Sequence, residues 1–142
     1  MKEVRILVIN PGSTSTKIAV YQDTEPVFLK NIRHTPEDLD PFPKISDQFR
    51  FRKGIILQQL HDADISLDEV HAVMGRGGLL KPIPSGVYEV NEAMIHDLQN
   101  SPLGEHASNL GGLIAYDIAL ELPEAKAYIA DPIVVDELDD IA

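Results

Sequence analysis

The amino-acid sequence predicts an α/β domain on one mixed sheet, with an antiparallel meander first and crossover helices after it. Three apolar, β-branched runs stand close together at residues 4–9, 18–21 and 27–32. Strands joined by so few residues pair antiparallel, because parallel neighbours need a crossover of about a dozen residues or more. From residue 45 onward the pattern changes to helix-period stretches alternating with short apolar runs, which builds a sheet covered by helices. At 142 residues the chain has the length of about one domain, and neither an internal repeat nor a low-complexity linker divides it.

Each element has its own signal. Val4-Arg5-Ile6-Leu7-Val8-Ile9 is continuous and β-branched and is halted by Asn10-Pro11-Gly12. Ile18–Tyr21 follows as a second strand, Asp23-Thr24 as a turn, and Val27–Ile32 as a third strand. Pro36, Pro41 and Pro43 mark an irregular connection. Ile45, Phe49, Ile56 and Leu60 recur at helical spacing and predict an amphipathic helix over 45–61, with Gly54 as its weak point. Val70–Met74 reads as a buried strand stopped by Gly75, Tyr88–Val90 as an extended piece, and Glu92–Gln99 as a short helix. Ser101-Pro102 signals a helix start, which gives a helix from about Gly104 to Glu121, before Pro123. Ala127–Ala130 is the last strand and ends at Asp131-Pro132. The order βββαβαβ implies a mixed sheet with helices packed on it.

Composition narrows the function. Hydrophobic residues make up 44% and charged residues 25%, and with no cysteine there is neither a disulfide frame nor a thiolate metal site. A formal charge of −11 argues against nonspecific nucleic-acid binding, which needs cations against phosphates. An anionic small ligand remains compatible, since a few N–H groups and one arginine reverse the potential locally. The apolar run at the start ends by Asn10, too short for a signal-peptide core or a membrane span, so a cytoplasmic protein with no membrane partner is expected. Asp131, Asp136, Glu137, Asp139 and Asp140 crowd the last residues; such a charge run is ordinarily a solvated face.

The stretch Asn10-Pro11-Gly12-Ser13-Thr14-Ser15-Thr16-Lys17 holds more than a turn needs. Gly12 admits an anion close to the backbone, four successive hydroxyls from Ser13 to Thr16 offer donors, and Lys17 adds a compact positive charge. It predicts a phosphate-binding turn, although not a P-loop, whose glycine spacing and following helix are missing. Further on, Arg76 stands among Gly75, Gly77 and Gly78 at a strand end, where its fork suits a carboxylate or a phosphoryl group. Gly104, Gly111 and Gly112 open a helix at a cost of about 1 kcal/mol each relative to alanine, which suggests close packing or a ligand there. His106 and Asn109 are three apart on that helix. Asp131 ends the last strand in a carboxylate. The other histidines, His34, His61, His71 and His96, show no ligand spacing and read as surface or packing residues.

The opening segment resembles the first phosphate loop of the acetate and sugar kinase, Hsp70 and actin superfamily. Asn10, Gly12, Ser13, Ser15 and Lys17 match the Asn-x-Gly-Ser-x-Ser-x-Lys form of its acyl kinases, the acetokinase family, where sugar kinases and actin-like ATPases usually have aspartate in place of Asn10. The Gly104–Gly112 segment is similar to the branch of that family acting on butyrate and branched-chain fatty acids. The resemblance runs from the opening loop to Val134–Leu138. It implies a ribonuclease H-like sheet in an actin-like ATPase lobe, and a reaction in which ATP and a short-chain carboxylate interconvert with ADP and an acyl phosphate, with Mg²⁺ bound. It further implies that Asn10, Gly12, Ser13, Ser15 and Lys17 bind the nucleotide's phosphates. Arg76 would then bind the acid and the moving phosphoryl group, with His106 and Asn109 beside the substrate. Asp131 would act in metal positioning or acid/base chemistry, sharing the metal with Asn10. Residues 1–142 are expected to form the N-terminal lobe, inactive without a second lobe, within a homo-oligomeric enzyme. Another ATPase or sugar kinase on the same fold, or a phosphate-binding module without catalysis, stands as the alternative.

Overall fold

The structure, a computed structural model, describes residues 4–76, 87–100, 109–123 and 125–130. Strands β1 (Arg5–Pro11), β2 (Ser15–Gln22) and β3 (Glu25–Arg33) form the expected antiparallel meander. Asp23 makes the second turn at φ +57°, a left-handed conformation aspartate tolerates, and its carboxylate accepts the Val4 N–H at 3.0 Å. Helix α1 (Pro36–Leu39) follows, then a 3₁₀ turn (Ile45–Gln48), helix α2 (Phe49–Asp62), a second 3₁₀ turn (Leu67–Glu69) and strand β4 (Ala72–Arg76). Strand β5 (Val87–Glu89), helices α3 (Glu92–Asn100) and α4 (Asn109–Leu120), and strand β6 (Lys126–Ala130) complete the described elements.

The sheet has six strands in the order β3-β2-β1-β4-β6-β5. Strands β1, β4 and β6 run parallel at its centre, and β5 pairs antiparallel with β6 at the edge. Two sequence expectations change in detail. The proline-marked connection contains α1, because Thr35 and Asp38 form a capping box: Thr35 Oγ1 accepts the Asp38 N–H at 3.1 Å, and Asp38 Oδ2 accepts the Thr35 N–H at 2.9 Å. Pro36 occupies the first turn, where a missing N–H does no harm. The expected helix over 45–61 opens as a 3₁₀ turn and becomes α-helical at Phe49. Of the long helix anticipated from Gly104, the part from Asn109 is described.

Strand alternation selects one buried face. Leu7, Ile9, Ile18 and Val20 from the meander, and Val73, Ala127 and Ile129 from the parallel strands, join Ile56 and Leu60 of α2 and Leu110, Ile114 and Ile118 of α4 in one core. Full burial of each large apolar side chain contributes about 1.5–3 kcal/mol. Lys53 of α2 ties the two helices together, bonding Asp117 of α4 and Glu121 just beyond its end. Helix α4 lies unusually close to the sheet: a Cβ placed on Gly75 would stand 2.3 Å from the Gly111 carbonyl carbon. The glycines that weaken this helix by propensity therefore serve its seat on β4, with Gly75 opposite Gly111 and Gly112.

Candidate functional site: the first hairpin and the strand ends

The Asn10–Lys17 stretch divides between two strands and a short turn. Asn10 and Lys17 are cross-strand partners, as are Pro11 and Thr16, so the turn proper is Gly12 to Thr14, closed by the Gly12 N–H donating to Ser15 O at 2.7 Å. The row of four hydroxyls splits accordingly. Ser13 and Thr14 are exposed at the tip and Ser15 is half-buried, whereas Thr16 is fully buried. Lys17 emerges on the opposite face of β2, beside Asn10, in a groove floored by Val8, Ala19 and Leu29 and edged by Asn31. Among the described residues no carboxylate pairs with Lys17, so its charge faces this groove uncompensated.

Behind the turn sits a residue that sequence reasoning passed over. Arg52 of α2 is fully buried. Its Nη1 donates to Ser15 O at 3.0 Å and to Thr16 Oγ1 at 3.2 Å, and its Nη2 donates to Ser13 O at 3.2 Å. Gln48 Oε1 accepts from Nε at 3.0 Å and from Nη2 at 2.8 Å. The signal was present in the spacing: Arg52 lies three after Phe49 and four before Ile56, on the apolar stripe of the helix where a charge needs a reason. Burial depresses the basicity of this guanidinium.

His34, expected at the surface or in packing, is buried with Nε2 2.8 Å from Thr16 Oγ1 and its ring edge-on to Phe51. Burial first, and then the Arg52 charge, push its pKa below the ordinary 6.5, with Asp38 opposing. Its backbone N–H donates to Thr14 O at 2.9 Å.

The sheet sets the strand ends that carry two of the candidates side by side. Ile9 pairs with Gly75 and Arg76 with Ala130, so the ends of β1, β4 and β6 bring Asn10, the Arg76 backbone and Ala130 to one end of the sheet. Asp131 and His106 themselves lie outside the described residues. Asn109 begins α4 and is buried at 3% exposure, with bonding partners inside the protein. Among the described residues no three His, Asp or Glu side chains gather as a metal cluster, and no helix is long and apolar enough to cross a membrane.

Butyrate kinase 1 of Clostridium acetobutylicum is 54% identical over 138 residues, 97% of this chain and 39% of that protein. A probable butyrate kinase of Bacteroides thetaiotaomicron is 56% identical over 139 residues, 98% of this chain and again 39% of the relative. The chain therefore spans about two fifths of the length of the curated relatives it matches. An acetate kinase from Porphyromonas gingivalis superposes with a TM-score of 0.51 over 90% of this chain and 37% of that one, at 19% identity, which establishes the shared fold. No family model matches the chain. Identity above one half along nearly the whole chain makes it similar to a part of the butyrate kinases, and it shares its fold with part of an acetate kinase.

Proposed function

We propose that the protein carrying this chain transfers the γ-phosphoryl group of ATP to a short-chain carboxylate, butyrate or a branched-chain acid, giving acyl phosphate and ADP, and runs the reverse reaction. The observation that carries the reading is the identity of 54–56% to butyrate kinases through a hairpin on which Asn10 and Lys17 stand side by side. In this reading Gly12 lets the backbone approach the nucleotide, Ser13, Ser15 and Lys17 hold the β- and γ-phosphates, and Asn10 orients a phosphate oxygen. Arg76 grips the acid and the moving phosphoryl group with its fork. A carboxylate oxygen bonds to the γ-phosphorus while the bond to the β–γ bridging oxygen breaks, and ADP leaves with that electron pair. Both reactants are anionic, so the side chains chiefly suppress repulsion and stabilise charge on the equatorial oxygens. His106 and Asn109 are assigned to binding of the acid, and Asn109 is a buried residue at the start of α4.

The oxygen donors on the hairpin, Asn10, Ser13 and Ser15, suit Mg²⁺ in kind but are neutral, so the ion fits here in company with the triphosphate. It would neutralise charge on the β- and γ-phosphates, and Asn10 and Asp131 are the residues assigned to its water shell. A cytoplasmic homo-oligomer without nucleic-acid or membrane partners completes the reading, in keeping with the charge of −11. The test is Arg76→Ala in the full-length protein, assayed by acyl hydroxamate formation from butyrate and ATP. Turnover is expected to fall about 10²–10³-fold, the loss typical of one preorganised donor. Near-normal turnover would remove Arg76 from the site.

A further inference from the structure

Three successive carbonyl oxygens of the turn are held from within the protein. Ser13 O accepts from Arg52 Nη2, Thr14 O from the His34 backbone N–H, and Ser15 O from both Arg52 Nη1 and the Gly12 N–H, at 2.7–3.2 Å. The peptide bonds are trans, and a trans peptide points its N–H opposite its C=O. The Thr14 and Ser15 N–H groups, which share peptides with the Ser13 and Thr14 carbonyls, are therefore turned away from α2 and β3. Arg52 meanwhile brings a full charge into the interior. Its acceptors are two backbone carbonyls, the Thr16 hydroxyl and the Gln48 amide, and among the described residues no carboxylate pairs with it. A buried cation bonded only to neutral groups is disfavoured by desolvation, and its field is weakly screened by solvent. A packing role needs no charge at this position.

We propose that Arg52 is a positioning residue for phosphate binding: it draws the Ser13 and Ser15 carbonyls toward α2, so that the turn presents N–H groups to a nucleotide's phosphates, and it sets an uncompensated positive charge behind them. The proposal rests on the reading of the turn as the phosphate site. Two jobs are thus joined in one side chain, because the hydrogen bonds that orient the peptides also fix the cation within reach of the anion.

The test uses the full-length protein and two variants, Arg52→Met and Gln48→Glu, with Lys17→Ala as the reference. Mg·ADP affinity is measured by titration calorimetry, and KM is determined separately for ATP and butyrate. Arg52→Met is expected to weaken Mg·ADP binding about tenfold or more, as loss of a charge-assisted bonding group does. Gln48→Glu is nearly isosteric and keeps an acceptor for Arg52, but its carboxylate cancels the charge behind the turn. It is expected to weaken Mg·ADP severalfold without lowering the unfolding temperature, while KM for butyrate stays within about twofold. Unchanged Mg·ADP affinity in a folded Arg52→Met or in Gln48→Glu overturns the proposal, and so does an equal rise in both KM values. If Arg52→Met fails to fold, Gln48→Glu decides. Should Lys17→Ala leave Mg·ADP affinity intact, the phosphate-site reading falls; should Lys17→Ala weaken it while Gln48→Glu does not, the role of Arg52 alone falls.

Discussion

Thr16 shows how a residue that looks like a ligand donor becomes part of the support. Its hydroxyl accepts from Arg52 and meets His34 Nε2, so a neutral His34 is free to take the hydroxyl's proton in a hydrogen bond. A protonated His34 would instead turn Nε2 into a donor toward that hydroxyl and set a second charge next to Arg52. The folded state therefore holds His34 neutral to a lower pH than the unfolded chain, whose histidine titrates near 6.5. Between the folded value and 6.5 the unfolded state binds more protons, and stability rises with pH. The contribution is complete above pH 6.5 and is lost as pH falls from there toward the folded value. Urea unfolding is expected to give a lower free energy at pH 5.5 than at pH 7.5, with a smaller decline in His34→Gln; equal declines would clear His34. At this scale Asn10, Gly12, Ser13, Ser15 and Lys17 could be put forward as candidates from side-chain chemistry and order. The tie of Arg52 and His34 to the turn was not readable, because their partners in the hairpin lie 18 to 39 residues away in sequence and only folding brings them together.

Among the elements, helix α4 depends on the glycine at which β4 approaches it. Gly75→Ala puts a Cβ against helix backbone, which cannot swing aside as a side chain can, so the mutation is expected to destabilise by about 1–3 kcal/mol. Gly54, in the exposed middle of α2 with nothing within 4 Å of a built Cβ, is the contrasting site. Gly54→Ala is expected to stabilise by about 0.5–1 kcal/mol from helix propensity. Chemical denaturation of both variants checks the pair, and a wild-type midpoint for Gly75→Ala would rule out the close seat. The meander strands were readable because β-branched runs and turn residues coincide there. Helix α1 was hidden by reading its prolines as breakers when one of them begins a capped turn. Strand β5 showed only as a three-residue extended piece, since so short an edge strand carries almost no periodicity.

For the whole molecule, the relatives' greater length sets the decisive expectation. The chain matches 39% of each curated butyrate kinase, and we propose that it supplies the phosphate-binding lobe while a second lobe closes over the nucleotide. The isolated 142-residue chain is then expected to form no acyl hydroxamate above background from ATP and butyrate; sustained ATP-dependent product from it would refute the division. The fold class was legible because closely spaced strands and later crossovers leave few topologies. The placement of β4 between β1 and β6 was not, because alternation records which face is buried and not which neighbour pairs. The tie from Arg52 to the turn carries a consequence for the order of folding. Hairpin pairing is local and fast, whereas the bonds that finish the turn close over 36 to 39 residues and wait for α2 to dock. A nascent chain that has emerged only to residue 44 owns every residue of the Asn10–Lys17 stretch but lacks Gln48 and Arg52. Nucleotide arriving during synthesis would then bind the docked state in preference to the undocked one, and by mass action draw the lobe toward completion.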